Sequence, residues 1–403
     1  MSEIGSCSND LNVSIVQLLN DFCYTASATP SIYRVDDCLR NTNEKAYDPM
    51  FISIGPLHRG KSNLEAMELH KMRYLKQLLG DSTSVDIYVD AIRNLEQSAR
   101  EFYAQEIGLD ADQFVKMLLL DGIFIIEFLC EYRLVDGGEV KMDGNPIFGS
   151  LYVVSQLLRD LMLFENQIPM SIVEALFRLS NKDDKKEFKD LIWPLTGYSR
   201  GDVPNDANAR HLLGLVHSVK CFSFAQLRSH EKCWTQKNIN SATDLREAGI
   251  VIKKKPWVMG KDCSWLDITF KKRTLYIPEL MITDETESWF KNMIAYEFYL
   301  PISIPKYVSD YLFFLHCLMS SSKDAEVLRR CGVISSWLGG DARVYEVIDR
   351  LGTHVFNWRY FSYGGVFESI NDHCGSKWNR LRANLKNSGP VISFIASVAL
   401  RLL

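Results

Sequence analysis

Residues 112–132, "DQFVKMLLLDGIFIIEFLCEY", constrain the fold more than any other stretch of this 403-residue chain. The pattern is helical, and its side chains are nearly all apolar. Such a helix has to be enclosed by other elements on most of its sides. The flanking sequence supplies them. "NLEAMELHKMRYLKQLL" (63–79) spaces Leu64, Met67, Met72, Leu75 and Leu78 as the apolar stripe of an amphipathic helix, and "AIRNLEQSAREFYAQ" is similar. "FGSLYVVSQLLRDLMLFENQIPMSIVEALFRLS" is a pair of apolar segments broken at Pro169. A residue before proline avoids helical angles, and proline suits the first turn of the helix that follows.

Further on, "GYSRGDVPNDANAR" (197–210) reads as a long loop. "LDITF" and "TLYIPEL" alternate around Lys271-Lys272-Arg273 as a β-hairpin, and "MFISI" (50–54) has the composition of a strand. Helical pattern resumes in "SWFKNMIAYEFYL", "YVSDYLFFLHCLM", "DAEVLRRCGVISSWL" and "ARVYEVIDRLGTHVF". Strands and helices do not alternate regularly, which argues against a doubly wound parallel sheet. The expected fold is mostly α (α+β): a large helical domain with a small antiparallel β element around 250–280. The expected organisation is an N-terminal segment (1–29), a globular unit (30–386) and a hydrophobic tail (387–403).

Composition narrows the function. A formal net charge of −4 offers nucleic acid no basic surface. The runs Lys253-Lys254-Lys255 and Lys271-Lys272-Arg273 read as loop and turn charges. The ten cysteines contain no C-x-x-C pair and fit free thiols in a reducing compartment. The start, "MSEIGSCSND", lacks the basic and apolar regions of a secretory signal. The histidines have no ligand spacing, so no metal is expected, and no cofactor either.

One motif points to chemistry. Gly55 to Ser62, "GPLHRGKS", satisfies the phosphate-loop pattern, with Gly55, Gly60, Lys61 and Ser62 as its nucleotide-binding positions. Against it, Pro56 removes an N–H donor, and "MLLLD", which imitates the second nucleotide motif, runs on into a helix. Ser62 and Glu65 have the spacing of a capping box, a structural use for the same residues. A second set of candidates is Asp121, Glu127, Asp160 and Glu165, carboxylates in apolar surroundings. They would serve acid/base catalysis if their environments separated their pKa values. The plainer reading pairs them with Arg159, Arg73 or Arg34, while Asn166 and Gln167 satisfy backbone groups freed at the Pro169 break.

"AYDPMFISIGPLHRGKSNLEAMELHKMRYL" resembles the signature of the plant family called domain of unknown function 247, or uncharacterised protein family 0481. The resemblance continues through "FVKMLLLDGIFIIEFL", "LLRDLMLFENQIPMSIVEALF", "ATDLREAGIVIK", "LDITFKKRTLYIPEL", "NMIAYE", "CGVISSWLG" and "WNRLRANL". Asp36 departs from it, standing where the family usually has proline. The resemblance implies a C-terminal hydrophobic helix, for which "PVISFIASVALRLL" (390–403) is short and carries Arg401. Lys377, Arg380, Arg382 and Lys386 precede it, a basic flank that favours a cytosolic bulk. Family members have been linked to self-incompatibility in grasses. The leading expectation is therefore a non-catalytic recognition or signalling protein with an unknown protein partner, associated with membrane through 390–403 and otherwise cytoplasmic. The alternatives are an enzyme of plant specialised metabolism using the buried carboxylates, and nucleotide binding at 55–62.

Overall fold

Residues 111–136 form the helix that the apolar run demands, and the rest of the N-terminal half is arranged around it. The computed structural model describes residues 30–80, 84–136, 145–180, 188–196, 209–227, 238–256, 264–353 and 361–375, with the single positions 16 and 138. The first helices are α1 (Asp37–Arg40), α2 (Glu65–Leu79), α3 (Asp86–Arg93), α4 (Glu96–Arg100) and the 26-residue α5 (Ala111–Asp136). They are followed by α6 (Leu151–Asp160), α7 (Met170–Ser180), the short α8 (Trp193–Thr196), α9 (Leu212–Leu227) and α10 (Ala242–Glu247). Helix α5 packs against α2, α3 and α7, and buries Phe114, Leu118, Phe124, Ile125 and Phe128.

Five short strands come next: β1 (Val251–Lys254), β2 (Thr269–Lys271), β3 (Thr274–Ile277), β4 (Leu280–Ile282) and, after three helices, β5 (Ile334–Ser336). Those helices are α11 (Thr286–Tyr299), α12 (Tyr307–Leu318) and α13 (Ser322–Arg330), and α14 (Asp341–Gly352) and α15 (Gly364–Gly375) follow β5. Helices α11 to α14 pack on one another, and α9 bridges this group to the first through α8 and α11. A single apolar cluster runs through both groups, from Ile32 to Ile370.

The helical class and the β2–β3 hairpin agree with the sequence, and Lys272-Arg273 forms its turn. Several local expectations do not. β1 joins the hairpin in parallel with β3, and β4 pairs in parallel with β5, so the β element is mixed rather than antiparallel. Lys253 and Lys254 belong to β1 and are not loop charges. "DAEVLRRCGVISSWL" stays helical only to Arg330, because Gly332 takes φ 71° and the chain then enters β5. On α2 the buried face is Met67, Lys71 and Tyr74, while Met72 is 47% exposed.

"MFISI" belongs to no strand: the chain bends at Met50 and Phe51 and is irregular from Ile52 to Ile54. Ser62–Leu64 forms a 3-10 turn whose cap, Lys61, makes no side-chain capping bond, so the Ser62–Glu65 capping box is not formed. Among the described residues no helix is long and apolar enough to cross a membrane. The expected tail at 390–403, its basic flank and most of the expected loop at 197–210 lie outside the described residues.

Candidate functional site

A buried segment without strand partners leaves its N–H and C=O groups to be satisfied by something else. Residues 48–58, a series of bends around an irregular stretch at 52–54, are such a segment, and polar side chains take the place of a ladder. Asp160, the last residue of α6, accepts the N–H groups of Met50 (3.0 Å), Phe51 (2.7 Å) and Ile52 (3.1 Å). Asn166 behaves as a neighbouring strand would. Its Oδ1 accepts from the Ile54 N–H (2.7 Å), and its Nδ2 donates to the Ile52 carbonyl (3.0 Å) and to Asp160 O (2.9 Å).

Asp121, in the middle of α5, accepts the Gly55 N–H at 2.7 Å and pairs with Lys71 Nζ at 2.6 Å. Lys71 also donates to the Ser53 carbonyl at 2.6 Å. Gly55 has φ 75°, and a Cβ there would stand 2.4 Å from the Gln167 carbonyl oxygen, so only glycine fits without strain.

Glu165 closes the far end. It accepts the Val35 N–H (2.6 Å) and pairs with Arg40 Nη2 (2.7 Å) and His58 Nε2 (3.1 Å). Gln167 holds the turn between α6 and α7, donating to the Leu161 (2.8 Å) and Leu163 (2.9 Å) carbonyls and accepting from Leu213 N–H (3.0 Å). From α11, Asn292 accepts the Phe164 N–H (2.8 Å) and donates to the Ala46 carbonyl (2.9 Å), which ties the knot to the second helical group.

The electrostatics follow from these partners. Burial pushes the Asp160 carboxyl up from its ordinary value, opposed by the three N–H donors and Arg159, 2.8 Å away. Burial likewise raises Asp121, opposed by Lys71 and the Gly55 N–H. Burial also works to raise Glu165, but His58, Arg40 and the Val35 N–H outweigh it and hold the carboxyl at about 2. Glu127 stands apart from the knot, half-buried on α5, and burial and then the Glu131 charge raise it.

Of the four candidate carboxylates, then, Asp121 and Asp160 bind the backbone of residues 50–55, Glu165 binds the Val35 N–H and meets the same segment through the His58 side chain, and Glu127 stands apart. Arg159 pairs with Asp160 as expected; Arg73 instead lies 4.0 Å from Glu131, and Arg34 uses its carbonyl to accept from Tyr299. Lys71, His58, Arg40 and Asn292 complete the knot although nothing in the composition marked them. For Lys71 a signal existed, since it lies four residues after Met67 and three before Tyr74 on one face of α2.

The phosphate-loop string occupies the same segment. The N–H of its first glycine is taken by the Asp121 carboxylate, and no buried strand precedes it. Lys61 is 41% exposed and pairs with Asp48 at 3.3 Å, and Gly60 is in a turn. The cradle of convergent N–H donors that a phosphate loop needs is not assembled here. None of the four carboxylates lines either of two surface cavities. One, of about 160 Å³, is bordered by Arg159, Met162, Glu285, Trp289 and Asn292, the other by Lys220, Trp265, Trp289 and Phe290. Among the described residues no group of His, Cys, Asp and Glu is arranged to hold a metal ion.

A family model described as plant protein of unknown function, domain of unknown function 247, matches residues 32–403. The chain belongs to this family. It is 28% identical over 391 residues to a UPF0481 protein of Arabidopsis thaliana, covering 89% of this chain and 80% of that protein. It is 20% identical over 485 residues to a putative UPF0481 protein of the same plant, covering 93% of this chain and 89% of that one. No solved structure matches the chain. Two stretches that carry the family resemblance, "DPMFISIGPLH" and "RDLMLFENQIP", both enter the knot. The first brings backbone groups and the second brings Asp160, Glu165, Asn166 and Gln167, while Asp121, Lys71, Arg40 and Asn292 come from elsewhere in the chain.

Proposed function

We propose that the chain is a non-catalytic recognition protein, held at a membrane through residues 390–403 with its bulk on the cytosolic side. One observation supports the non-catalytic part. Asp121, Asp160 and Glu165, the groups best suited by type to acid/base work, are bound to the chain's own backbone and cations, away from the cavities. Groups so engaged build a rigid frame, and the outer surface is left for contacts with partners. The recognition role, of the self-incompatibility kind, follows the family resemblance, and the membrane role follows the apolar tail and its basic flank.

Carbonate extraction of plant microsomes tests the membrane part. The full chain should stay in the pellet and a chain ending at Asn387 should be released; release of both refutes it. Native electrophoresis of tissue extract tests the partner. The chain should migrate as a complex larger than its own 46.2 kDa, and migration at that mass alone refutes the reading.

A further inference from the structure

The two basic runs, separate in the sequence, meet on one face of the three-stranded sheet. Val251 lies opposite Thr274 and Lys253 opposite Tyr276 in the parallel pair, while Lys271 lies opposite Thr274 and Thr269 opposite Tyr276 in the hairpin. Residues opposed across a ladder share a face. The outer face therefore reads Val251–Thr274–Lys271 in one row and Lys253–Tyr276–Thr269 in the next. Ile252, Leu275 and Ile277 point inward and are buried. Lys272 and Arg273 project from the turn at the end of the first row, and all four cations of this face are exposed. The neighbouring Lys254 and Lys255 pair with Glu279 and Asp267. β1, β2 and β3 contain no acidic residue, in a chain whose net charge is −4.

The turn adds an independent observation. Lys272 (φ 47°) and Arg273 (φ 65°) both hold left-handed backbone. A two-residue hairpin turn of this kind favours Asn-Gly, which adopts such angles at lower energy. Two cations are thus held at positions where the backbone disfavours them, a local cost that Asn-Gly would lower.

α15 lies on the other side of the sheet. It packs against β2 with the His373 ring 6.0 Å from Phe270, a residue of the inward row opposite Leu275, and ends at Gly375. The sequence then continues with Lys377, Arg380, Arg382 and Lys386 toward the apolar run at 390–403.

We propose that the outer face of the β1–β3–β2 sheet lies on an anionic lipid surface, with Lys253, Lys271, Lys272 and Arg273 pairing with its headgroups. The proposal deepens the membrane reading above and rests on it. An open sheet face with cations at its margin and Tyr276 at its centre matches a planar charged surface.

Co-sedimentation of the full chain with vesicles tests this, comparing neutral phosphatidylcholine with the same lipid containing about 30% phosphatidylserine. The anionic vesicles should bind far more tightly, and the difference should shrink as salt is raised. Two double variants follow: Lys253→Gln with Lys271→Gln, and Lys272→Asn with Arg273→Gly. Each should weaken binding to anionic vesicles roughly thirtyfold, from the contribution of two cations. The turn variant should also melt at a higher temperature than the parent, so its weaker binding cannot come from misfolding.

Equal binding to neutral and anionic vesicles, or wild-type binding by both variants, overturns the proposal and leaves the tail reading intact. Failure of the tail reading looks different: carbonate frees the chain, while cation-dependent binding to anionic vesicles persists at low salt. Retention on immobilised polyglutamate without binding to anionic vesicles would assign the face to an acidic protein segment, and would also overturn the lipid proposal.

Discussion

Replacing Asp160 by alanine isolates what the knot contributes, because one carboxylate there serves three consecutive N–H groups. Met50 is 47% exposed, so its N–H can turn to water and adds little. Phe51 is half-buried and Ile52 is fully buried, and their donors would be stranded. Each stranded buried donor costs about 1–3 kcal/mol, so Asp160→Ala should lose about 2–6 kcal/mol. Asp160→Asn keeps one acceptor oxygen but turns an amine toward the donors, and should lose about half as much. Against a stability of about 5–15 kcal/mol, usual for a folded domain, the alanine variant approaches the unfolding threshold.

Urea denaturation followed by tryptophan fluorescence reads this as a lower midpoint at unchanged slope. Hydrogen exchange adds a local readout: the Phe51 and Ile52 amides should exchange faster in both variants than in the parent, relative to amides in α12. Glu127→Gln is the control. It removes a half-buried carboxylate whose main charged neighbour is repulsive, and should stay within about 0.5 kcal/mol of the parent. An Asp160→Ala chain within about 0.5 kcal/mol of the parent, with unchanged exchange at 51 and 52, would refute the view that this carboxylate replaces a β-ladder.

Gly55→Ala should destabilise by more than about 2 kcal/mol, because left-handed backbone and the close Gln167 carbonyl penalise the same methyl; thermal unfolding reads it. Lys71→Met leaves Asp121 buried without its cation and should lose about 3–5 kcal/mol at neutral pH. The loss should shrink in mildly acidic urea titrations, since burial already favours the neutral Asp121 carboxyl. His217, 2.7 Å from Glu297 and 3.7 Å from Cys221, is opposed by burial, yet these two neighbours raise it to about 10. Its folded value exceeds the ordinary 6.5, so its contribution is complete below that pH and fades as pH rises toward 10. His217→Gln should flatten the alkaline limb of a stability–pH profile, and an unchanged limb would refute the assignment.

The helices were legible because apolar periodicity is a local signal: α5 follows from one unbroken run, and the β2–β3 hairpin from alternation around three cations. The knot was legible only in part. Asp121, Asp160 and Glu165 stand out as charges in apolar runs, but their partners are backbone groups of another segment, which no residue type announces. "MFISI" looks like a strand since its residues favour extended backbone, but the chain bends at Met50 and Phe51, where three successive N–H groups turn onto Asp160. Lys71 was hidden by its charge, since lysine on a helix normally faces water. The Ser62–Glu65 pattern failed because the chain enters α2 through a 3-10 turn that already includes Ser62. Lys253 and Lys271 are 18 residues apart and carry no mark of sharing a face; only the strand register, with β3 between them, puts them on one.

The knot also dictates an order of assembly. The donors at 50, 51, 52 and 54 find their acceptors 108 to 112 residues later in the chain, and Gly55 finds its own 66 residues later. During synthesis this N-terminal segment emerges first and can be completed only after α6 and the turn before α7 have followed it. Until then its apolar side chains and open backbone are the features most apt to pair with another chain. A single loss at Asp160 or Asn166 would lengthen that exposure as well as weaken the finished fold. Such variants should therefore appear in the plant first as reduced yield of protein, before any change in what the folded molecule does.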